Sequence, residues 1–97
     1  METKKIADYA ETYNLHVQPH NCAGPISTAA AVQLDVCMTN FIIQELFPYR
    51  KDGRYELVQD APELQVVDGY LPIPKAPGLG VELDEQVISK YDCMRIK

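Results

Sequence analysis

The sequence lacks the features that mark a membrane protein, a nucleic-acid-binding protein or a disulfide scaffold. No apolar run approaches the roughly 20 residues of a membrane-spanning helix. Lys and Arg number 9 against 14 Asp and Glu, and the formal net charge of -5 leaves no basic surface for nucleic acid or anionic lipid. The three cysteines include no C-x-x-C pair, which favours reduced thiols over disulfides or a structural zinc site. These absences predict a cytoplasmic protein whose partners are neither nucleic acid nor membrane.

What is present indicates a globular protein of limited size. The chain has 97 residues, of which 46% are hydrophobic, so it forms one domain at most. Its pattern predicts the order helix, strand, helix, strand, followed by an irregular β-rich tail and a final helix. Two strands with two helices leave edges and apolar faces uncovered in an α/β layer. The chain alone is therefore expected to bury only part of the apolar surface that its sequence pattern assigns to a core.

Two helices are predicted in the first half. Residues 3–13 carry an apolar stripe at helical spacing, formed by Ile6, Tyr9, Ala10 and Tyr13. Pro25 suits the first turn of a second, alanine-rich helix that runs to residue 37 or 38.

Each predicted helix leads into a short apolar segment that stops near an ionisable residue. Residues 15–17 form a first strand that Pro19 ends, and His20 follows directly. Residues 41–43, apolar without alternation, are typical of a strand buried on both faces, and Glu45 lies just beyond. Because a right-handed strand-helix-strand unit makes the strands parallel, we expect His20 and Glu45 at the same C-terminal edge.

Turn signals dominate the rest of the chain. The dipeptides at 52–53 and 68–69 are both Asp-Gly, which is typical of tight hairpin turns, and the second is the better candidate. Strand segments are predicted around them at residues 49–50, 54–58, 64–67 and 70–73. A short helix is expected to open near Asp84 and to run through Tyr91.

Several motifs, in this order, resemble the C-terminal portion of the mandelate racemase and muconate lactonizing enzyme family, within the enolase superfamily. They are Pro19-His20-Asn21, Gly24-Pro25-Ile26-Ser27-Thr28-Ala29-Ala30, Asn40-Phe41-Ile42-Ile43-Gln44-Glu45, Asp68-Gly69-Tyr70 and Pro77-Gly78-Leu79-Gly80-Val81-Glu82-Leu83-Asp84. Within that family the sequences of these motifs are most similar to those of sugar-acid dehydratases of the galactonate dehydratase type.

The resemblance implies an α/β fold that is the C-terminal fragment of a modified TIM barrel. Residues 1–47 would be helix six, strand seven, helix seven and strand eight, and residues 48–97 a tail that packs back on the barrel and cap. It also implies magnesium-dependent abstraction of a proton next to the carboxylate of a small sugar acid. The Mg²⁺ ligands and the aspartate that orients the base would lie on strands absent from this chain.

The same resemblance assigns roles to two residues. His20 matches a general base or acid, and Glu45 matches a glutamate that hydrogen-bonds the substrate carboxylate or enediolate. An imidazole suits proton transfer because its ordinary pKa is about 6.5. A glutamate donates to an oxyanion only when protonated, which burial or a neighbouring carboxylate favours. Asn21 is a candidate substrate contact that could equally cap its own loop, and no residue is predicted to bind a metal.

An isolated chain of this kind is expected to be inactive without the missing N-terminal part as its partner, because proton abstraction loses its metal support. Two alternatives stay open. One is a racemase or cycloisomerase of the same family, since the same two residues serve that chemistry. The other is a non-catalytic structural module that covers its strand edges by self-association.

Overall fold

The fold is known from a computed structural model, which describes residues 2–47, 51–92, 94 and 96. Its helices are α1 (Glu2–Thr12), α2 (Pro25–Asp35) and the four-residue α3 (Glu85–Ile88), its 3-10 helices are Arg54–Leu57 and Pro62–Leu64, and its strands are β1 (Val58–Gln59) and β2 (Glu82–Leu83). None of the described helices combines the length and apolarity needed to cross a bilayer.

The two predicted apolar segments of the first half meet side by side and run parallel. Val17 forms an isolated parallel bridge with Phe41. The Val17 N–H donates to the Asn40 carbonyl at 2.9 Å, and the Ile42 N–H donates to the Val17 carbonyl at 3.1 Å. The predicted parallel arrangement is confirmed, but the pairing is a single bridge, because Pro19 supplies no N–H to continue the ladder.

The helix that connects these segments begins as predicted and ends early. Pro25 is its first residue, where a missing N–H is tolerated. Thr28, Ala29 and Val32 form its buried side. The last helical residue is Asp35, two or three positions before the predicted end, and a tighter turn follows in which the Cys37 N–H donates to the Leu34 carbonyl at 2.9 Å.

The strand predicted over residues 54–58 is wrong for four of its five residues. A 3-10 helix occupies Arg54–Leu57, and only Val58 is in a strand. Its partner is Leu83 of β2, in an antiparallel register, whereas the predicted partner at residues 49–50 lies outside the described residues. Tyr55 of this 3-10 helix, Val58 of β1 and Ala61 just before the second 3-10 helix form a small buried cluster, against which the partly buried Val81 packs.

The second hairpin is confirmed only at its turn. Val67 and Tyr70 form one antiparallel bridge, with N–H to carbonyl distances of 2.9 and 2.8 Å. Asp68 and Gly69 between them have φ angles of 51° and 80°, as a tight hairpin turn requires. The strands predicted on both sides are wrong: Leu64 ends a 3-10 helix, and residues 71–73 are not in a strand.

The predicted final helix is shorter than expected. The Asp84 carboxylate accepts a hydrogen bond from the Val87 N–H at 3.0 Å, which caps the start of α3. The helix then ends at Ile88 and does not reach Tyr91.

Large apolar faces stay open to solvent. The stripe residues Ile6 and Tyr9 of α1 are exposed, and so is Tyr13 just beyond its end. Ile42 and Ile43 are 61% and 55% exposed, so the prediction of a segment buried on both faces is wrong within this chain. The radius of gyration is 15.0 Å, against about 12–13 Å for a compact domain of this length. The described helices and strands therefore leave apolar faces that a second layer of secondary structure would have to cover.

A cavity of about 620 Å³ lies among the end of α2, residues 41–46 and residues 66–73. Asp35 lines it and is only 8% exposed. Among the described residues nothing hydrogen-bonds its Oδ1 atom, and the same holds for Oε1 of Gln44 in the same cavity. Burial raises the pKa of Asp35 to about 6, because the charged form loses its hydration.

The raised pKa of Asp35 predicts a pH-dependent stability. Between the unfolded pKa of 3.8 and the folded value near 6 the folded state holds the extra proton, so stability falls as pH rises through this window. We expect Asp35→Asn to flatten this slope and to raise the free energy of unfolding at pH 7 by about 2 kcal/mol. Urea unfolding from pH 4 to 7.5 measures it. The exposed Asp60→Asn is the control, and an unchanged slope in Asp35→Asn contradicts the account.

Candidate active site

The imidazole of His20 and the carboxylate of Glu45 are in direct contact. Nδ1 of His20 lies 2.8 Å from Oε2 of Glu45. Both residues follow the parallel bridge between Val17 and Phe41 by three or four positions along their own segments. The bridge therefore brings the two ends together, and the predicted juxtaposition at one edge is present in the structure.

Glu45 is surrounded by hydrogen-bond donors. Its Oε2 atom also accepts from the backbone N–H of Asn21 at 3.0 Å, and its Oε1 atom accepts from the Cys22 thiol at 3.5 Å. The Asn21 N–H lowers the pKa of Glu45 most, and the Cys22 thiol and the nearby His20 also lower it, against a smaller opposing effect of burial. The ionised form is favoured, so Glu45 is an acceptor in this state.

The contact with Glu45 determines which nitrogen of His20 can take up a proton. When Nδ1 carries the hydrogen that is donated to the carboxylate, Nε2 keeps its lone pair. The His20 side chain is 81% exposed, so a molecule in solution can reach this nitrogen. The pair can hold one tautomer and accept a proton at the ring's outer edge.

The Asn21 side chain points into the protein. The residue is 5% exposed. Its Nδ2 donates to Thr28 Oγ1 at 2.8 Å, and its Oδ1 accepts from Ser27 Oγ at 3.0 Å. Only its main-chain N–H joins the His20–Glu45 pair. A substrate contact of Asn21 stays a prediction, while the described contacts of its side chain hold the loop against the start of α2.

Glu63, which the sequence analysis did not single out, continues this network. It is 5% exposed, and its Oε1 atom accepts a hydrogen bond from Thr28 Oγ1, while Oε2 has no partner among the described residues. The network thus connects a 3-10 helix of the tail with α2 and the loop after Pro19. The sequence gives little signal for it, because 35 positions separate the two partners.

Cys22 is the other residue that the sequence analysis missed. Its spacing from Cys37 and Cys93 gives no C-x-x-C pair, so cysteine spacing alone does not draw attention to it. The useful signal was its place two positions after His20. In extended chain, residues i and i+2 project from the same side. Here both side chains bond the same carboxylate, at Oε2 and Oε1 of Glu45.

The cavity beside Asp35 is separate from this pair. Neither His20 nor Glu45 lines it, and its walls are mostly apolar. The candidate active site is therefore the exposed edge at His20, Glu45 and the loop that follows His20, where an imidazole meets a carboxylate at the ends of two parallel segments.

Removal of the Thr28 hydroxyl tests the supporting network. Thr28→Val keeps the shape but leaves the buried Asn21 amide and Glu63 carboxyl group without this partner. We expect a loss of about 2 kcal/mol in the free energy of unfolding, because the unmade bonds are buried. Urea unfolding at constant pH measures it.

The control for this variant is Thr39→Val. Thr39 is exposed, and its hydroxyl bonds only the exposed Glu11 carboxylate in the described structure. The free energy of unfolding of Thr39→Val should therefore stay within about 0.5 kcal/mol of that of the unaltered chain. Equal losses of unfolding free energy in the two variants would show that the buried hydrogen bonds of Thr28 do not stabilise the chain more than an exposed one does.

Comparison with known proteins identifies the family to which this chain is related. The family profile described as "Enolase C-terminal domain-like" matches residues 1–87. D-xylonate dehydratase of Haloferax volcanii is 34% identical over 90 residues, which are 93% of this chain and 21% of that enzyme. D-gluconate/D-galactonate dehydratase of Picrophilus torridus is 34% identical over 97 residues, with 97% and 24% covered.

Solved structures agree with the sequence relatives. A proposed dehydratase from Mesorhizobium loti matches with a TM-score of 0.84 and 41% identity, over 94% of this chain and 24% of that one. A mandelate racemase/muconate lactonizing enzyme from Jannaschia sp. CCS1 matches with a TM-score of 0.79 and 33% identity, over 97% and 24%. The chain spans about a fifth to a quarter of the length of these relatives.

Proposed function

Because the chain belongs to the C-terminal domain family of the mandelate racemase and muconate lactonizing enzymes, in the enolase superfamily, we propose that it is the C-terminal portion of a sugar-acid dehydratase. The substrate class is an aldonate, the acid on which curated relatives are named to act. The observation that carries the proposal is the 2.8 Å contact of His20 with Glu45 at the ends of two parallel segments.

The proposed reaction begins with removal of the proton on the carbon next to the substrate carboxylate, which gives an enediolate. His20 takes this proton at Nε2, since Nδ1 is engaged with Glu45. The hydroxyl group on the next carbon then leaves as water with a returned proton, and the enol product rearranges to a 2-keto acid. His20, as the protonated acid, is positioned to return that proton.

Glu45 is proposed to hold the substrate carboxylate or the enediolate. In the described state its pKa is lowered by donors, first of all the Asn21 N–H. A substrate carboxylate placed beside it would raise that pKa, because two like charges at hydrogen-bond distance cannot both stay ionised without cost. The shared proton would then let Glu45 donate to the oxygen where negative charge develops.

We further propose the position of these elements in a complete enzyme. The helix α1, the segment around Val17, the helix α2 and the segment around Phe41 would be helix six, strand seven, helix seven and strand eight of a modified TIM barrel. The tail from residue 48 would pack back on the barrel and on a capping domain. The exposed Ile42 and Ile43 support this arrangement, since neighbouring barrel elements would cover them.

Family membership implies Mg²⁺ in the full-length enzymes, and the described residues do not fit that ion. The described metal-capable cluster offers one imidazole nitrogen, one thiol sulfur and one carboxylate. Mg²⁺ requires a near-octahedral set of oxygen ligands. Its ligands would have to come from the rest of the protein, so the chain alone should be inactive.

A non-catalytic, self-associating module is the second candidate. The exposed apolar side chains of α1 and of residues 42–43 favour it as well, because a second copy could cover them. Analytical ultracentrifugation separates the candidates. A defined oligomer that persists on dilution supports the module, whereas a monomer that is captured by the missing portion of a dehydratase supports the enzyme fragment.

A chimera tests the enzymatic proposal. This chain would replace the matching quarter of the Picrophilus torridus dehydratase, which aligns with 97% of it. We expect Mg²⁺-dependent formation of a 2-keto acid from gluconate or galactonate. His20→Ala in the chimera should lower kcat by about 10² to 10⁴, the usual contribution of a general acid or base.

The exposed His16 supplies the matched control, because His16→Ala removes an imidazole outside the Glu45 contact and should keep the activity. Retained activity in His20→Ala would overturn the assignment. The racemase alternative has a different readout in D₂O: the substrate would gain deuterium and epimerise without loss of water.

A further inference from the structure

Three different metal-ligating groups converge at the candidate active site. His20, Cys22 and Glu45 each offer a ligand atom within 4.8 Å of the other two. Two of the contacts are short: 2.8 Å from the His20 ring to Glu45 and 3.5 Å from the Cys22 sulfur to Glu45. The proposed dehydration uses the imidazole and the carboxylate, but it leaves the thiol without a role.

The separations are close to those of a tetrahedral ion. Zinc lies about 2.0–2.3 Å from nitrogen, oxygen or sulfur ligands, so ligand atoms around it are roughly 3.3–3.8 Å apart. The contact of His20 with Glu45, at 2.8 Å, is shorter than this range, the contact of Cys22 with Glu45, at 3.5 Å, lies inside it, and no two of the ligand atoms are more than 4.8 Å apart. Movements of about 1 Å by exposed or half-exposed side chains would complete three positions, and solvent would supply the fourth.

The backbone already holds the ligands in place. His20 and Cys22 flank Asn21, whose side chain is fixed by Thr28 and Ser27 and whose N–H bonds Glu45. Glu45 itself follows the bridge at Phe41. A cation would find its ligands on an ordered frame and would order few further groups, which lowers the entropic cost of binding.

We propose that His20, Cys22 and Glu45 form a binding site for a borderline-soft divalent transition ion of the Zn²⁺ class. Sulfur and imidazole nitrogen favour such ions, whereas Mg²⁺ and Ca²⁺ favour oxygen. Binding forms bonds from the ion to a ring nitrogen, the sulfur and a carboxylate oxygen. The S–H bond breaks, its proton passes to the buffer, and no group changes oxidation state.

The site has a consequence if the proposed function holds. An ion that occupies a ring nitrogen of His20 and an oxygen of Glu45 withdraws both from proton transfer, so Zn²⁺ would inhibit the dehydratase that contains this segment. The binding itself does not depend on that function, because it follows from the three ligand atoms alone. A chain that binds Zn²⁺ in the absence of dehydratase activity would keep this inference and remove the other.

Cobalt reports directly on sulfur ligation. The full chain, kept reduced, is titrated with Co²⁺, which replaces Zn²⁺ and absorbs in the near ultraviolet when a thiolate binds it. We expect saturation at one ion per chain, reversal by Zn²⁺, and no reversal by an about thousandfold excess of Mg²⁺. Cys22→Ser should abolish the absorption, and Glu45→Gln should weaken Co²⁺ binding at least about tenfold.

The matched control is Cys37→Ser. Cys37 is an exposed thiol beyond the far end of α2, about 16 Å along the helix from its start. Its removal should leave the cobalt absorption intact. Absorption that survives in Cys22→Ser, or disappears in Cys37→Ser, overturns the assignment.

A second measurement needs no substitution and so cannot be confused by misfolding. The unaltered chain is treated with iodoacetamide with and without Zn²⁺, and the modification of each cysteine is followed by mass spectrometry. Zn²⁺ should slow alkylation of Cys22 at least about tenfold while Cys37 reacts as before. Equal reactivity of Cys22 with and without Zn²⁺ would contradict the site.

Discussion

The parallel contact between Val17 and Phe41 is the interaction on which the candidate site depends. Two backbone hydrogen bonds, of 2.9 and 3.1 Å, fix the register of the two segments. A shift of one residue would turn each following side chain to the other side. With this register His20 and Glu45 meet, and the loop between Pro19 and α2 gains a carboxylate to bond. Helix α2 makes the contact possible, because it returns the chain to the start of the first segment, so that the second segment runs parallel to the first.

This part of the structure could be predicted because its causes are local. Pro19 and Pro25 limit where a strand can end and a helix can begin, and the strand-helix-strand order determines handedness. The tail was harder for the opposite reason. Its strand β1 pairs with β2, 24 positions along the chain, so residues 54–58 could not reveal their partner.

The candidate site likewise contains residues that the sequence predicts and residues that it does not. His20 and Glu45 follow from strand ends and from resemblance to a family, whereas the buried bond from Thr28 to Glu63 joins elements that the sequence does not place together. Cys22 shows a different limit. Its role depends on a carboxylate 23 positions away, so the thiol is unremarkable until the parallel contact is known. The open apolar faces, and the buried acceptors of Asp35 and Gln44 that have no partner among the described residues, support the proposal that the chain is one portion of an enzyme.

The backbone N–H of Asn21 offers the most direct test of the central claim, because it bonds the carboxylate that His20 also contacts. Its amide proton shift, followed by NMR as pH is lowered, reports protonation of Glu45. The account predicts one titration with a midpoint below the ordinary glutamate pKa of about 4.3, since the Asn21 donor lowers it. Glu45→Gln should abolish that titration. An Asn21 amide that does not respond, or a midpoint above the ordinary value, would contradict the shared carboxylate.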